Sequence, residues 1–245
     1  MPIINLVYGW ETAQPTPELP YLCFTANTAG STICINVWWW RTPSWISVET
    51  SIDWIIWNTY TFGNTITLSN VWNKVYFRNA SDTSTTFSLN TSQFFYFSMT
   101  WSIAASGDVN YLINKNSTET VSDYCYYQLF YNCSALTTPP KLPATTLSVW
   151  CYYYMFAACT NLNWLPELPA TTLSNNSYYY MFMNCSKIKL STTQTWEYQT
   201  PYRIPTTWTW SSQTNSLQNM FTSTWWTFTW TPSINTTYYT SNTVI

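Results

Sequence analysis

A tandem repeat with a period of 26 residues occupies the middle of the chain and constrains its fold more than any other feature. The segments YCYYQLFYNCSALTTPPKLPATTLSVW, CYYYMFAACTNLNWLPELPATTLSNN and SYYYMFMNCSKIKL follow one another from Tyr124 to Leu190 and align without a gap. A fixed period of this length is typical of stacked supersecondary units, each of which buries its apolar face against the next. The sequence therefore predicts a short solenoid, which presents a surface and implies no reaction by itself.

Each repeat divides into two parts. The segment TTLSVWCYYYMFAAC has apolar residues at helical spacing, with Thr145 or Thr146 as a candidate N-cap. The segment NLNWLPELPA is short and bounded by prolines, which favours an extended strand. One helix and one short strand per unit predict leucine-rich-repeat geometry for residues 106–190.

The flanking regions have different patterns. Residues 21–105 hold short runs rich in Thr, Val, Ile and aromatic residues, divided by turn residues, which predicts a β-sandwich with the strands YLCFTA, STICINV, WISVETS, NTITLS, KVYFRNA and FFYFSMT. Residues 191–245 hold a weak half-repeat, SLQNMFTST, and are expected to cap the stack. The predicted fold class is mixed β and α/β: an N-terminal β-sandwich, a short leucine-rich-repeat solenoid and a C-terminal cap.

The first twenty residues combine an apolar segment with the proline-spaced linker QPTPELP. We expect the apolar segment to anchor the chain by adding a strand to a neighbouring protein, through Ile3, Ile4, Leu6 and Val7. An edge strand of the same domain is the alternative. The start lacks the features of a secretory signal, and no run approaches the roughly 20 apolar residues of a membrane span, so we expect surface location by assembly, without membrane insertion.

Composition disfavours most catalytic and nucleic-acid functions. The chain has no histidine, the commonest general base, and only 7% charged residues with a net charge of −2, which gives no basic footprint for nucleic acid. The acidic residues mostly stand singly, and no phosphate-binding or dinucleotide-binding motif is present. Asp108 in SGDVN is a weak calcium candidate, with a plain turn favoured. We expect no enzyme, no cofactor and no metal.

The seven cysteines are not expected to form disulfides. Their number is odd, and the repeat spacing separates them beyond bridging distance on the predicted helices. No CxxC pair occurs, which disfavours zinc. The sequence predicts small apolar residues buried in columns.

Tyrosine triplets recur in the repeats and supply the candidate binding surface. A triplet on a helix points in three directions, so some rings can face outward and form an aromatic ladder suited to glycans or proteins. Packing of these rings between repeats is the alternative. The candidate surface residues are Tyr126, Tyr127, Tyr152, Tyr153, Tyr178 and Tyr179.

The repeat motifs resemble a known family. LPATTL followed by CYYYMFAACTNL is similar to the BspA-like leucine-rich repeats of bacterial surface proteins. The flanking segments CFTANTAGSTI, ITLSNVWNKVYFRN and SIAASGDVNYLINKNS resemble the sandwich regions joined to such repeats in bacteriophage and gut-bacterial proteins. This resemblance implies a non-enzymatic bacteriophage virion protein, a fibre or a capsid or tail decoration, that adheres to host protein or glycan. It further implies other virion proteins as partners of the N-terminal segment and a homo-oligomeric assembly. The alternative is a bacterial cell-surface adhesin.

One departure from the family is systematic. The family usually has glycine where this chain has Trp72, Trp101, Trp196, Trp208, Trp210, Trp225, Trp226 and Trp230, and a small residue is common at Tyr154 and Tyr180. Only 4 glycines occur in 245 residues, well below the usual share of about 7%. Because tryptophan cannot replace glycine cheaply at turns, we hypothesise that some of these tryptophans are not the biological residues.

Overall fold

The computed structural model describes residues 19–39, 44–117, 119–205, 215–226 and 231–245. These residues form short strands and one 3-10 helix, Val109–Leu112, and contain no α-helix. No helix among them is long and apolar enough to cross a membrane. The strands are β1 (Leu22–Ala26), β2 (Ser31–Val37), β3 (Val48–Ser51), β4 (Asn58–Thr59), β5 (Ile66–Leu68), β6 (Lys74–Asn79), β7 (Phe95–Met99), β8 (Ile103–Ser106), β9 (Leu136–Thr138), β10 (Trp164–Leu165), β11 (Lys189–Ser191), β12 (Thr200–Arg203), β13 (Trp225–Trp226), β14 (Thr237–Thr240) and β15 (Thr243–Val244).

Two sheets form the N-terminal part. The first has the order β4-β3-β6-β1-β8-β9 and the second the order β5-β2-β7; their pairs are antiparallel except β8 with β9. Rings from both sheets meet in the core, with Phe97 of β7 lying 5.0 Å from Phe24 of β1 and 5.6 Å from Phe77 of β6 between ring centroids. The six strands predicted from the sequence are all present, and this β-rich arrangement is consistent with the expected β-sandwich.

The helix predicted in each repeat is wrong, and a run of consecutive turns takes its place. In residues 122–133, Tyr127 N donates to Tyr124 O at 2.9 Å and Leu129 N to Tyr126 O at 3.2 Å, each three residues back. Residues 148–159, 174–185 and 215–224 have the same form, and we call these four stretches the turn segments. The backbone is left-handed at every fourth residue, at Tyr124, Gln128 and Asn132, with φ of 58°, 56° and 61°. Such residues cannot continue a right-handed helix.

Neighbouring turn segments are joined by the N–H groups that the turns leave free. Gln128 N donates to Tyr153 O at 2.9 Å, and Phe130 N donates to Met155 O at 2.8 Å, so alternate residues bond across to the next repeat. The same bonds join the third segment to the fourth, where Phe182 N donates to Met220 O at 2.9 Å. The described chain is therefore β-rich with several small sheets, which corrects the predicted α/β class and leucine-rich-repeat solenoid.

The C-terminal strands pair with the short strands of the repeats. β11 lies between β14 and β13 in a sheet of order β12-β14-β11-β13, and β10 pairs with β15 in parallel. The side chain of Asn242 links two repeats, because its Nδ2 donates to Asn163 O at 2.8 Å and to Lys187 O at 3.0 Å. The tail thus satisfies backbone carbonyl groups of two repeats.

The hydrophobic core is contiguous through the described residues and is organised in columns along the repeats. The rings of Phe97, Phe130, Phe156, Phe182 and Phe221 stack face to face, with centroids 5.2, 5.4, 5.6 and 5.4 Å apart in that order. Offset stacking adds to the burial energy of each ring.

The cysteines line a second set of core columns. All seven are buried and unpaired, which confirms the prediction of free, buried cysteines; the five in the repeats lie in columns, whereas Cys23 and Cys34 lie in β1 and β2. The thiols of Cys133, Cys159 and Cys185 sit one repeat apart, and each donates to a phenylalanine carbonyl of the layer before it, at 3.1, 3.0 and 3.0 Å. Each thiol therefore acts as a small core residue with a weak hydrogen bond.

Candidate tyrosine surface

Three of the six tyrosines predicted to form the binding surface lie in the hydrophobic core. Tyr126, Tyr152 and Tyr178 are fully buried and stack in one column, with centroids 5.8 and 5.6 Å apart. The Tyr126 hydroxyl donates to Asn110 Oδ1 at 2.8 Å and to Val109 O at 3.1 Å. These three rings cannot contact a ligand, which corrects the prediction for the first tyrosine of each set.

The second tyrosine of each set lies nearer to solvent. Tyr127, Tyr153 and Tyr179 stack with centroids 5.2 and 5.3 Å apart and interplanar angles of 1° and 4°. Tyr127 is 8% exposed, while Tyr153 and Tyr179 are half-buried. Both faces of the middle ring are covered by its neighbours, so only its edge is accessible. This column therefore offers ring edges to a partner, and stacking on its faces is blocked.

A second column of half-exposed tyrosines runs beside the first and was missed in the sequence. Tyr131 contacts Tyr154 edge-on at 6.1 Å, and Tyr154 stacks on Tyr180 at 4.8 Å. Tyr180 also contacts Tyr179 of the first column, at 4.3 Å between centroids. Tyr154 and Tyr180 have left-handed backbones with φ of 53° and 55°, and only their position at family small-residue sites hinted at this. We call the two columns the tyrosine surface: Tyr127, Tyr131, Tyr153, Tyr154, Tyr179 and Tyr180.

The tyrosine surface is uncharged. Desolvation, with smaller contributions from neighbouring phenols, raises the pKa of Tyr127, Tyr153, Tyr154 and Tyr179 above the ordinary value, so these hydroxyls stay protonated at neutral pH. Amide groups border the rings: Gln128 Nε2 donates to the Tyr127 hydroxyl at 3.2 Å.

A cleft of about 390 Å³ opens at the N-terminal end of the tyrosine surface. β7 forms one wall with Tyr96 and Ser98, and the first turn segment forms the other with Tyr131 and Asn132. The cleft and the surface are continuous, because the ring of Phe94 in the cleft lies 5.1 Å from that of Tyr127. A ligand spanning both would meet aromatic edges, hydroxyls and amides.

The thiols of the repeats are buried and protonated. Burial raises the pKa of the Cys125 thiol to about 12 and raises those of Cys133, Cys151, Cys159 and Cys185 as well, so these thiols are poor nucleophiles. No cluster of three or more histidine, cysteine, aspartate or glutamate side chains able to hold a metal ion occurs in the part described.

Asp108, the calcium candidate of the sequence, has a structural role. Its Oδ1 accepts from Asn110 N at 2.7 Å and caps the 3-10 helix, while Ser117 Oγ donates to the other carboxylate oxygen. Burial raises the pKa of this carboxyl group more than these hydrogen bonds lower it. The Asp108 carboxylate therefore stabilises a turn, which agrees with the favoured prediction from the sequence.

The predicted anchor residues Ile3, Ile4, Leu6 and Val7 lie outside the described residues. No family model matches the chain, and no curated protein or solved structure is similar to it.

Proposed function

We propose that this chain is a non-enzymatic surface protein of a bacteriophage virion, a fibre or decoration subunit that adheres to host protein or glycan. The observation that carries the proposal is the tyrosine surface, in which two adjoining columns cross three repeats without a charged side chain. The repeats give such a surface length, since each adds one ring to the first column and the second and third repeats each add one to the second column.

Tyrosine suits this role physically. Its ring supplies a large contact area at low conformational-entropy cost, and its hydroxyl donates and accepts hydrogen bonds. In the tyrosine surface the rings already support one another by stacking, so binding would order few additional side chains. The buried thiols and the absence of histidine from the chain favour binding over catalysis.

The virion assignment is supported by the resemblance of the flanking segments to bacteriophage proteins that carry similar repeats. In this proposal the N-terminal segment contacts other virion proteins, the chain assembles as a homo-oligomer and the tyrosine surface faces outward. A bacterial cell-surface adhesin is the alternative that the same repeat motifs support.

Adhesion is tested by measuring how the full chain binds to host cells. We expect Tyr131→Ala and Tyr180→Ser to weaken binding by about fivefold each, since a ring contact contributes on the order of 1 kcal/mol. Trp196→Ala is the matched control, because this ring is 86% exposed and lies outside the tyrosine surface. Equal binding by all three variants, each with an unchanged unfolding midpoint, would contradict a role for the tyrosine surface.

Location is tested separately, by electron microscopy of source particles labelled with antibody against residues 124–186. Label on phage capsids or tails would support the virion proposal and show which structure carries the protein. Label confined to bacterial envelopes would reject it in favour of the adhesin.

A further inference from the structure

Four described tryptophans have a left-handed backbone. Their φ angles are 56° at Trp54, 70° at Trp72, 64° at Trp101 and 60° at Trp150. A bulky residue with such an angle is an outlier, because its Cβ crowds the following carbonyl oxygen, whereas glycine adopts the conformation freely. Asparagine, which tolerates the left-handed region, recurs most often at these angles in the described residues, and tyrosine and serine recur there too.

Three turns of the N-terminal sheets show which residue the conformation requires. In residues 28–31, 61–64 and 70–73 the fourth residue N–H donates to the first carbonyl, at 3.3, 3.1 and 3.2 Å. The third residue is Gly30 with φ of 77°, Gly63 with φ of 87° and Trp72 with φ of 70°. A positive φ at this position defines a type II turn, whose third residue is characteristically glycine. Trp72 thus occupies a glycine position in a turn that the same chain builds twice with glycine.

The indole rings of Trp72 and Trp101 make too few contacts to offset the energetic cost of a left-handed backbone. Trp72 is 74% exposed and Trp101 71% exposed, so neither ring is held by burial. The glycines within the described residues, Gly30, Gly63 and Gly107, all have positive φ. Every glycine in the described part of the chain therefore takes the left-handed conformation.

We infer that the protein, as its own host makes it, carries glycine at Trp72 and Trp101. A single cause accounts for both positions: one codon that the host translates as glycine and that is written here as tryptophan. Trp150 is different, because its ring lies 4.4 Å from that of Tyr153 and its equivalents in the neighbouring repeats, Tyr124 and Asn176, are left-handed without being glycine. Of the other suspected positions, Trp196, Trp225 and Trp226 are not left-handed, and Trp208, Trp210 and Trp230 lie outside the described residues.

The inference has a consequence for the surface of the molecule. Removing the indoles of Trp72 and Trp101 takes two highly exposed aromatic rings, 74% and 71% exposed, off the surface. The inference does not depend on the proposed function, since it rests on backbone angles, turn geometry and side-chain exposure.

Peptide sequencing by mass spectrometry of the protein isolated from its native source tests the inference directly. We expect glycine in the peptides that cover positions 72 and 101. Tryptophan at any of these positions in the native protein would overturn the inference for that position.

A second test uses the chain as written and needs no native source. Trp101→Gly is expected to raise the unfolding midpoint above that of Trp101→Ala by roughly 2–4 °C, because both variants lose the indole and only glycine relieves the left-handed Cβ. The pair Trp196→Gly and Trp196→Ala is the control, and there alanine should be the more stable. If Trp101→Gly is no more stable than Trp101→Ala, the position does not require glycine and the inference fails.

Discussion

The buried tyrosine column provides a matched pair of hydroxyl groups, one bonded and one not. Tyr126 and Tyr152 are both fully buried and stack on each other. The Tyr126 hydroxyl donates to Asn110 Oδ1 and Val109 O, while the Tyr152 hydroxyl has no partner among the described residues. Replacing each by phenylalanine removes one oxygen and keeps the ring, so the two variants differ in hydrogen bonding alone.

The expected effects have opposite signs. Tyr126→Phe loses a hydrogen bond between buried groups, which contributes about 1 kcal/mol net and more where an acceptor is left unpaired, so we expect a loss of about 1–2 kcal/mol. Tyr152→Phe removes a buried hydroxyl whose desolvation is uncompensated, so we expect no loss and a gain of up to about 1 kcal/mol.

Urea unfolding measures both variants against the parent chain. A shift in midpoint at constant denaturant slope reports stability without a change in the surface exposed on unfolding. The double variant should give the sum of the two effects to within about 0.5 kcal/mol unless the stacked rings couple them. A loss of more than about 1 kcal/mol for Tyr152→Phe would refute the reasoning, because it would show that its hydroxyl is bonded in the folded protein.

Three further predictions concern the packed core. Gly107→Ala should destabilise the chain by at least about 2 kcal/mol, since φ is 71° and the new Cβ would meet the carbonyl of Tyr21; urea unfolding checks it. Ser177→Cys should stabilise by about 1 kcal/mol in the same assay, because the buried Ser177 hydroxyl is unpaired where the earlier repeats have Cys125 and Cys151. A thiol-reactive chromogen should label none of the 7 buried cysteines before unfolding and all of them after it.

The sequence was sufficient for the strands and the cysteine columns but not for the form of the repeats. In the first turn segment the residues that are at most 2% exposed are Cys125, Tyr126, Leu129, Phe130 and Cys133. This is a period of four, and over so short a stretch it resembles the 3.6-residue period of a helix. The predicted helix came from this near coincidence.

A signal that separates the two structures was present in the asparagines. Asn176 and Asn184 occupy left-handed positions of the third turn segment, and Asn215 and Asn219 occupy them in the fourth. Asparagine tolerates the left-handed region of backbone conformation. Its recurrence at multiples of four residues is unexpected in a helix, because asparagine has a low helix propensity.

The candidate site shows the same limit. Within the triplet Tyr152–Tyr154 the first ring is buried, the second lies in the half-buried column, and the third is turned out by its left-handed backbone. A helical interpretation spreads three rings over three directions without saying which faces solvent. Which ring of the triplet is buried and which faces solvent follows only from the run of turns, in which every fourth residue has a left-handed backbone.

The direction of the backbone hydrogen bonds explains how the stack is closed at both ends. At its start, Phe97 N of β7 donates to Leu129 O at 2.8 Å, so the N-terminal sheet provides donors to the first turn segment. Each later segment receives donors from the one before it, as in the bond from Tyr154 N to Tyr179 O at 3.1 Å. In the fourth segment Asn219 N donates to Thr231 Oγ1 at 2.8 Å, a side chain in place of a further repeat. Because a turn segment on its own would leave alternate N–H groups unbonded, the repeats depend on the sheet and the tail that flank them.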